Sequence, residues 1–314
     1  MRTNRYSYRR EKGEASVAAT ISAVLLKKSY QGKPALDGIS FSSAGAEILG
    51  VIGHNGAGKT TLLKCLAGLT TPDSGRLEVN GVDMFRDPDS VKAGIGYLPE
   101  ESRLYEQMNV MEYLRFFGEV YALDRDQIRY RSERLLLSLS LSADGKKCGE
   151  LSKGMKRKVA IARSLIHDPG LLIYDEPASG LDPMTSRYVT TYLQTLRDNG
   201  KTVILSAHNL YQVEAVCDRV MILKDGKIAA MGTLQELREE FGSLSYHIYF
   251  TAPEPGRLPL ELRRKQEAGM FLAEAGEIDV LNRILAEIAS CGGAVERIES
   301  HYPSLEEMLV RLAP

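Results

Sequence analysis

No apolar run in this sequence is long enough to cross a bilayer. The longest near the amino terminus, VAATISAVLL, falls well short of the roughly 20 residues that a spanning helix needs. No small-residue cleavage pattern follows it, so neither a membrane span nor a secretory signal is expected, and the chain is expected to stay in the cytosol. Charge of one sign is equally missing in excess, because 40 Lys and Arg face 41 Asp and Glu and leave a formal charge of −1. That balance carries no electrostatic footprint for DNA or RNA, and no nucleic-acid partner is expected. The opening MRTNRYSYRREK is locally basic, and residues 1–20 read as a flexible basic arm. Cysteine is scarce: Cys65, Cys148, Cys217 and Cys291 include no CxxC pair, which excludes the usual zinc and redox motifs and leaves packed, reduced thiols. Internal repeats and low-complexity blocks are absent too.

What is present is a chain of 314 residues, enough for a large α/β domain with an appendage. Hydrophobic residues at 44% and charged residues at 26% fit an ordinary soluble composition. Apolar runs of strand length alternate with helical patterns, which predicts a mostly parallel sheet crossed over by helices. The strand candidates are EILGVI (47–52), RLEV (76–79), GIGYL (94–98), LLIYD (171–175) and TVILSA (202–207). Between the third and fourth, from about residue 100 to 167, the amphipathic pieces NVMEYLRFF and RSERLLLSLSL predict an inserted helical subdomain. A hairpin follows in RVMILKDGKIAAMG, turned at Asp225-Gly226. The principal domain is drawn over residues 21–241 and a small α+β appendage over 242–314, where Ser304 and Glu307 predict a capping box.

The strongest chemical pattern is GHNGAGKTT: Gly53, His54, Asn55, Gly56, Ala57, Gly58, Lys59, Thr60 and Thr61. It fits G-x-x-x-x-G-K-[ST] between a predicted strand and a predicted helix. Glycines let successive N–H groups point inward at phosphate oxygens, and the helix start adds partial positive charge. Lys59 is then expected to reach the β- and γ-phosphates and the Thr60 hydroxyl to ligate Mg²⁺. His54 reads as a filler whose backbone matters more than its imidazole. A second signal is LLIYDEP, whose apolar run ends in Asp175 at the carboxyl end of a buried strand, where ligands gather in open α/β sheets. Asp175 is the expected Mg²⁺-side carboxylate, and Glu176 is the expected proton acceptor from an attacking water. His208 follows TVILSA at another strand end and is expected to touch nucleotide.

GHNGAGKTT, LSKGM, LLIYDEP, SGLD and His208 occur in the order and approximate spacing of the ATP-binding cassette of ABC transporters, which residues of about 20 to 240 resemble. The resemblance implies a P-loop NTPase cassette of α/β class that binds ATP with Mg²⁺ and hydrolyses it. It also implies that Ser152 and Gly154 complete a γ-phosphate site whose P-loop belongs to a second cassette, so a dimer is expected. By the same likeness Tyr30 stacks on adenine, and Asp182 in SGLD communicates across the dimer. Glu100 in GYLPEE stands where the family usually has Gln and is expected to contact the metal. Lys153 and Met155 also depart from the usual signature. Lys156, Arg157 and Lys158 after them read as a solvated helix face. With GYLPE, SKGM and the appendage, the chain resembles ATPase subunits of ABC-2-type exporters, which sit on the cytoplasmic face of the membrane and power a separate permease. A narrower likeness is to the ATPase of transporters that mature nitrous oxide reductase. Related soluble cassettes act on nucleic acid or ribosomes, usually with two cassettes, a coiled-coil insertion or Cys-rich domains, none of which is found in this sequence.

Overall fold

The computed structural model describes residues 20–142, 145–241, 244–252, 266–267 and 270–312. The basic arm expected over residues 1–20 therefore lies outside the described residues, apart from Thr20. The chain forms two compact units, Met1–Thr233 and Leu234–Pro314.

The first unit opens with a hairpin of β1 (Thr20–Tyr30) and β2 (Lys33–Ala44), then β3 (Ile48–Ile52) and helix α1 (Lys59–Leu66). Next come β4 (Ser74–Val79), β5 (Val82–Asp83), α2 (Pro88–Lys92) and β6 (Ile95–Leu98). Three helices follow, α3 (Val110–Val120), α4 (Arg125–Ser138) and α5 (Lys153–Leu165). The unit ends with β7 (Leu171–Asp175), α6 (Pro183–Asp198), β8 (Thr202–Ser206), α7 (Leu210–Val216), β9 (Arg219–Lys224) and β10 (Lys227–Gly232).

Six of these strands make one sheet in the order β10-β9-β3-β8-β7-β6, parallel except for the hairpin strand β10. Strands β3, β7 and β8 are buried at every residue. Continuous apolar runs such as LLIY are what a parallel strand needs when both faces are covered. The second sheet is antiparallel, in the order β2-β1-β4-β5. RLEV therefore belongs to this antiparallel sheet and not to the parallel one. One core joins the two sheets: Leu26, Ile39 and Leu77 from the antiparallel sheet, Leu62, Leu63 and Leu66 from α1, and Val51, Ile173 and Ile204 from the parallel sheet.

Helix starts are set by local chemistry. Asn109 with Glu112 and Asp124 with Gln127 form reciprocal capping boxes at α3 and α4, and Asp182 caps α6 ahead of Pro183. Helix α5 lies against β6 because residue 96 has no side chain: a Cβ there would stand 2.4 Å from the Ser164 carbonyl oxygen.

The second unit comprises α8 (Leu234–Phe241), β11 (Ser245–Thr251), β12 (Gln266–Glu267), β13 (Met270–Ala275), α9 (Ile278–Ser290), β14 (Ala294–His301) and α10 (Leu305–Leu312). Its antiparallel sheet runs β12-β13-β11-β14, and a small core of Ile248, Phe250, Phe271 and Ile288 forms between β11, β13 and α9. The Ser304–Glu307 capping box is present, each main-chain N–H donating to the other residue's side chain at 2.8 and 3.2 Å. Because the units divide after Thr233, α8 groups with the appendage, whereas the sequence alone draws the line after Phe241.

Gly96→Ala is expected to cost about 1–3 kcal/mol through overpacking of α5 against β6, read as a lower thermal midpoint; an unchanged midpoint would contradict this close approach.

Candidate functional site

The glycine loop spans the end of β3 and the start of α1. Gly58, the residue before the helix, has φ 106°, and a Cβ on it would sit 2.4 Å from the Ala35 carbonyl oxygen. Only glycine fits there. Lys59 opens the helix and is 7% exposed, with Nζ donating to the carbonyls of Gly53 at 2.6 Å and His54 at 3.1 Å. Burial pulls this ammonium below its ordinary value, against the attraction of Glu176 and Asp175. Around it His54, Asn55, Gly56 and Thr60 are exposed, Ala57 is buried, and Gly53 and Thr61 are half-buried. The His54 imidazole stays local, with Nδ1 at 2.8 Å from the Asn55 carbonyl and Nε2 at 3.6 Å from Asp225.

Two neighbouring parallel strands supply the acidic part. Asp175, last in β7, is paired in register with Ser206, last in β8. The Ser206 hydroxyl donates to Asp175 Oδ1 at 2.5 Å and accepts from the Glu176 main-chain N–H at 3.0 Å. Glu176 takes φ 50°, an uncommon conformation for a residue with a side chain. That turn aims its carboxylate at His208, whose Nε2 lies 2.5 Å from Oε1. Burial pushes the Glu176 carboxyl above the ordinary carboxylate range; Glu100 and Asp175 push the same way, and His208 and Lys59 oppose them. Lys59, Asp175, Glu176, His208 and Glu100 are thus brought within electrostatic reach of one another.

Ser152, Gly154 and Asp182 form a separate cluster. Ser152 caps α5 and accepts from the Met155 N–H at 3.3 Å. Asp182 accepts from the Thr185 N–H at 3.0 Å, and this hydrogen bonding holds its carboxyl below the ordinary range. A Cβ on Gly154 would come 3.1 Å from the Thr185 side chain, so the starts of α5 and α6 abut. No hydrogen bond or ion pair among the described residues joins this cluster to Gly53–Thr61. Tyr30 closes β1 and is 47% exposed, with the Lys28 ammonium 5.6 Å from its ring centroid.

Residues 36–179 match the family described as ABC transporter. An uncharacterized ABC transporter ATP-binding protein of Methanocaldococcus jannaschii is 40% identical over 253 residues, covering 80% of this chain and 90% of that protein. The chain belongs to the ABC transporter family of ATP-binding proteins. This ABC protein is an ATP-binding, ATP-hydrolysing subunit with a P-loop NTPase fold. The Nod factor export ATP-binding protein I of Rhizobium sp. (strain N33) is 33% identical over 307 residues, 95% of this chain and 97% of that one. A solved structure described as the ATP binding subunit of an ABC transporter superposes with a TM-score of 0.65 at 32% identity, covering 70% of this chain and 92% of its own. Residues 232–313 match the C-terminal domain of DrrA1-3-like ATP-binding proteins.

The structure overturns one expectation in this ABC cassette. Lys156, Arg157 and Lys158 are not a solvated face: Arg157 is 6% exposed, and Lys158 is half-buried with its ammonium 4.2 Å from the Tyr188 ring centroid. Helix period explains it, because position 157 shares its face with the buried Ala160, Ile161 and Ser164, three, four and seven residues on. Ser206 is a site residue that the motifs do not single out, although its signal is a hydroxyl closing a buried strand two residues before His208. Ser206→Ala leaves a buried carboxylate oxygen and a buried N–H unpaired. It is expected to cost about 1–3 kcal/mol, measured by denaturant unfolding, and an unchanged midpoint would refute the bridge.

Proposed function

We propose that this chain is the ATPase subunit of an export complex, in which two cassettes close over ATP and drive a separate membrane permease. The observation that carries the reading is the Glu176–His208 pair at 2.5 Å, set beside Asp175 at the ends of adjacent strands and within electrostatic reach of Lys59. The N–H groups of Gly53–Thr61 and the Lys59 ammonium hold the triphosphate, and the exposed Tyr30 ring stacks on adenine. Lys59 exchanges its two loop carbonyls for phosphate oxygens. Glu176 orients the attacking water and accepts its proton, favoured by a carboxyl already pushed upward by burial. His208 keeps that carboxylate aimed and faces the γ-phosphate.

The donor set fits Mg²⁺, since Thr60, Asp175 and Glu100 offer oxygen atoms and the described residues hold no group of three or more His, Cys, Asp or Glu that would cage an ion without phosphate. When bound, Mg²⁺ neutralises charge that develops on the phosphate oxygens. Ser152, Gly154 and Asp182 form the separate cluster that meets the nucleotide held by a second cassette, identical or not. Among the described residues no helix is long and apolar enough to cross a membrane; the permease is a separate polypeptide, and this subunit sits at the cytoplasmic face of the membrane. Export is supported by the match of residues 232–313 to the DrrA1-3-like C-terminal domain and by the full-length likeness to a Nod factor export protein.

Glu176→Gln is expected to keep ATP affinity, to lower turnover by about a hundredfold or more, and to accumulate an ATP-dependent dimer on size exclusion. Turnover at the original rate would sink the assignment of the base. Extraction of the intact complex in mild detergent is expected to yield a multi-spanning membrane protein with this subunit. Recovery of ribosomes or DNA in its place would refute the transporter reading.

A further inference from the structure

Arg157 sits in the second turn of α5, and its guanidinium makes six hydrogen bonds. Nε donates to the Pro177 carbonyl at 2.9 Å. Nη2 donates to the carbonyls of Asp175 at 2.9 Å and Glu176 at 2.7 Å. Nη1 reaches the carbonyls of Pro99 at 2.7 Å and Glu100 at 3.0 Å and the Ser102 hydroxyl at 2.8 Å. Five N–H groups thus serve six acceptors, so one is shared. All six acceptors are neutral oxygens.

The location explains the arrangement. Strands β6 and β7 pair in parallel through Leu98 and Tyr174, and there the ladder stops. Beyond it Pro99 has no N–H to offer, and the chain leaves the sheet as two loops, one through Glu100 to Ser102 and one through Glu176 and Pro177. Without a donor, the carbonyls of the buried residues Asp175, Glu176 and Pro177 would lose a partner that water cannot readily replace. The planar fork of Arg157 satisfies both loops at once, which a lysine ammonium with three donors cannot.

Glu176 gains most from this. Its positive φ is unfavourable for a residue with a Cβ. The conformation is held from two sides, by Ser206 on its N–H and by Arg157 on its carbonyl. We propose that Arg157 is the positioning residue of the hydrolytic site: it fixes Glu176 and the Glu100 loop in one frame with α5, the helix whose start carries Ser152 and Gly154. Within one protomer it thereby ties the groups that act on its own ATP to the helix start offered to the partner's ATP. The inference rests on the proposed role of Glu176.

The test uses full-length Arg157→Lys and Arg157→Gln, with turnover expressed per ATP site titrated by a non-hydrolysable analogue. The expected result is a kcat lower by about ten- to a hundredfold, with KM and analogue affinity within about twofold. In the Glu176→Gln background the same substitutions are expected to change residual turnover by less than about twofold, since the group being aimed is gone. A purely structural residue would instead lower the number of ATP sites and leave kcat per site intact, and that outcome overturns the proposal, as does full kcat in a folded variant. If neither variant folds, Ser102→Ala removes one of the six acceptors and is expected to lower kcat by about two- to fivefold at constant KM; unchanged kcat overturns the proposal. Surviving turnover in Glu176→Gln would refute the base on which the inference rests, whereas full kcat in the Arg157 variants beside a silent Glu176→Gln would refute Arg157 alone, so the two failures are separable.

Discussion

The site depends on two parallel strands ending level with each other. Strands β7 and β8 are buried at every residue, so polar groups can enter the sheet only where the strands stop. They stop in register, Asp175 opposite Ser206, and a single hydroxyl bridges a carboxylate on one chain segment and an N–H on the same segment one residue further. Glu176, one residue beyond Asp175, and His208, two beyond Ser206, are then delivered to the same spot. A slip of one residue in either strand would send Asp175 into the apolar face and separate the pair.

Burying a guanidinium with only neutral oxygens around it is costly, and burial pulls Arg157 below its ordinary value, to about 10. The nearby charges of Asp175 and Glu100 offset part of that cost without touching it. Such a residue is a poor way to make a sheet stable but a good way to make two loops agree, because its acceptors are fixed in direction as well as in distance. Helix α5 is itself anchored by the absence of a side chain at position 96, so the fork is presented from a firm base.

Much of this was legible without coordinates. GHNGAGKTT and LLIYDEP are dense in information, because a phosphate loop needs glycine at particular steps and a buried parallel strand tolerates nothing polar until its end. The β1–β2 hairpin was harder. Leu25 breaks the strand with φ 50°, the pairing with β2 shifts register more than once, and half of β1 faces solvent, so no clean alternation shows. Its turn at Gln31-Gly32 lacks the usual Asn or Asp. RLEV could be seen as a strand, but a strand's own residues do not say which sheet it joins. Arg157 is hidden in the sequence for a different reason: three consecutive basic residues look like one charged face, yet on a helix they point in directions about 100° apart, and here the middle one faces inward.

The lysine of the glycine loop is engaged by the loop itself. By donating to the carbonyls of Gly53 and His54 it cross-braces the loop around its own ammonium. In the proposed function, a bound anion exchanges one set of oxygen partners of Lys59 for another. Binding of this kind is governed by competition between oxygens, and it favours ligands rich enough in negative charge to displace two carbonyls together.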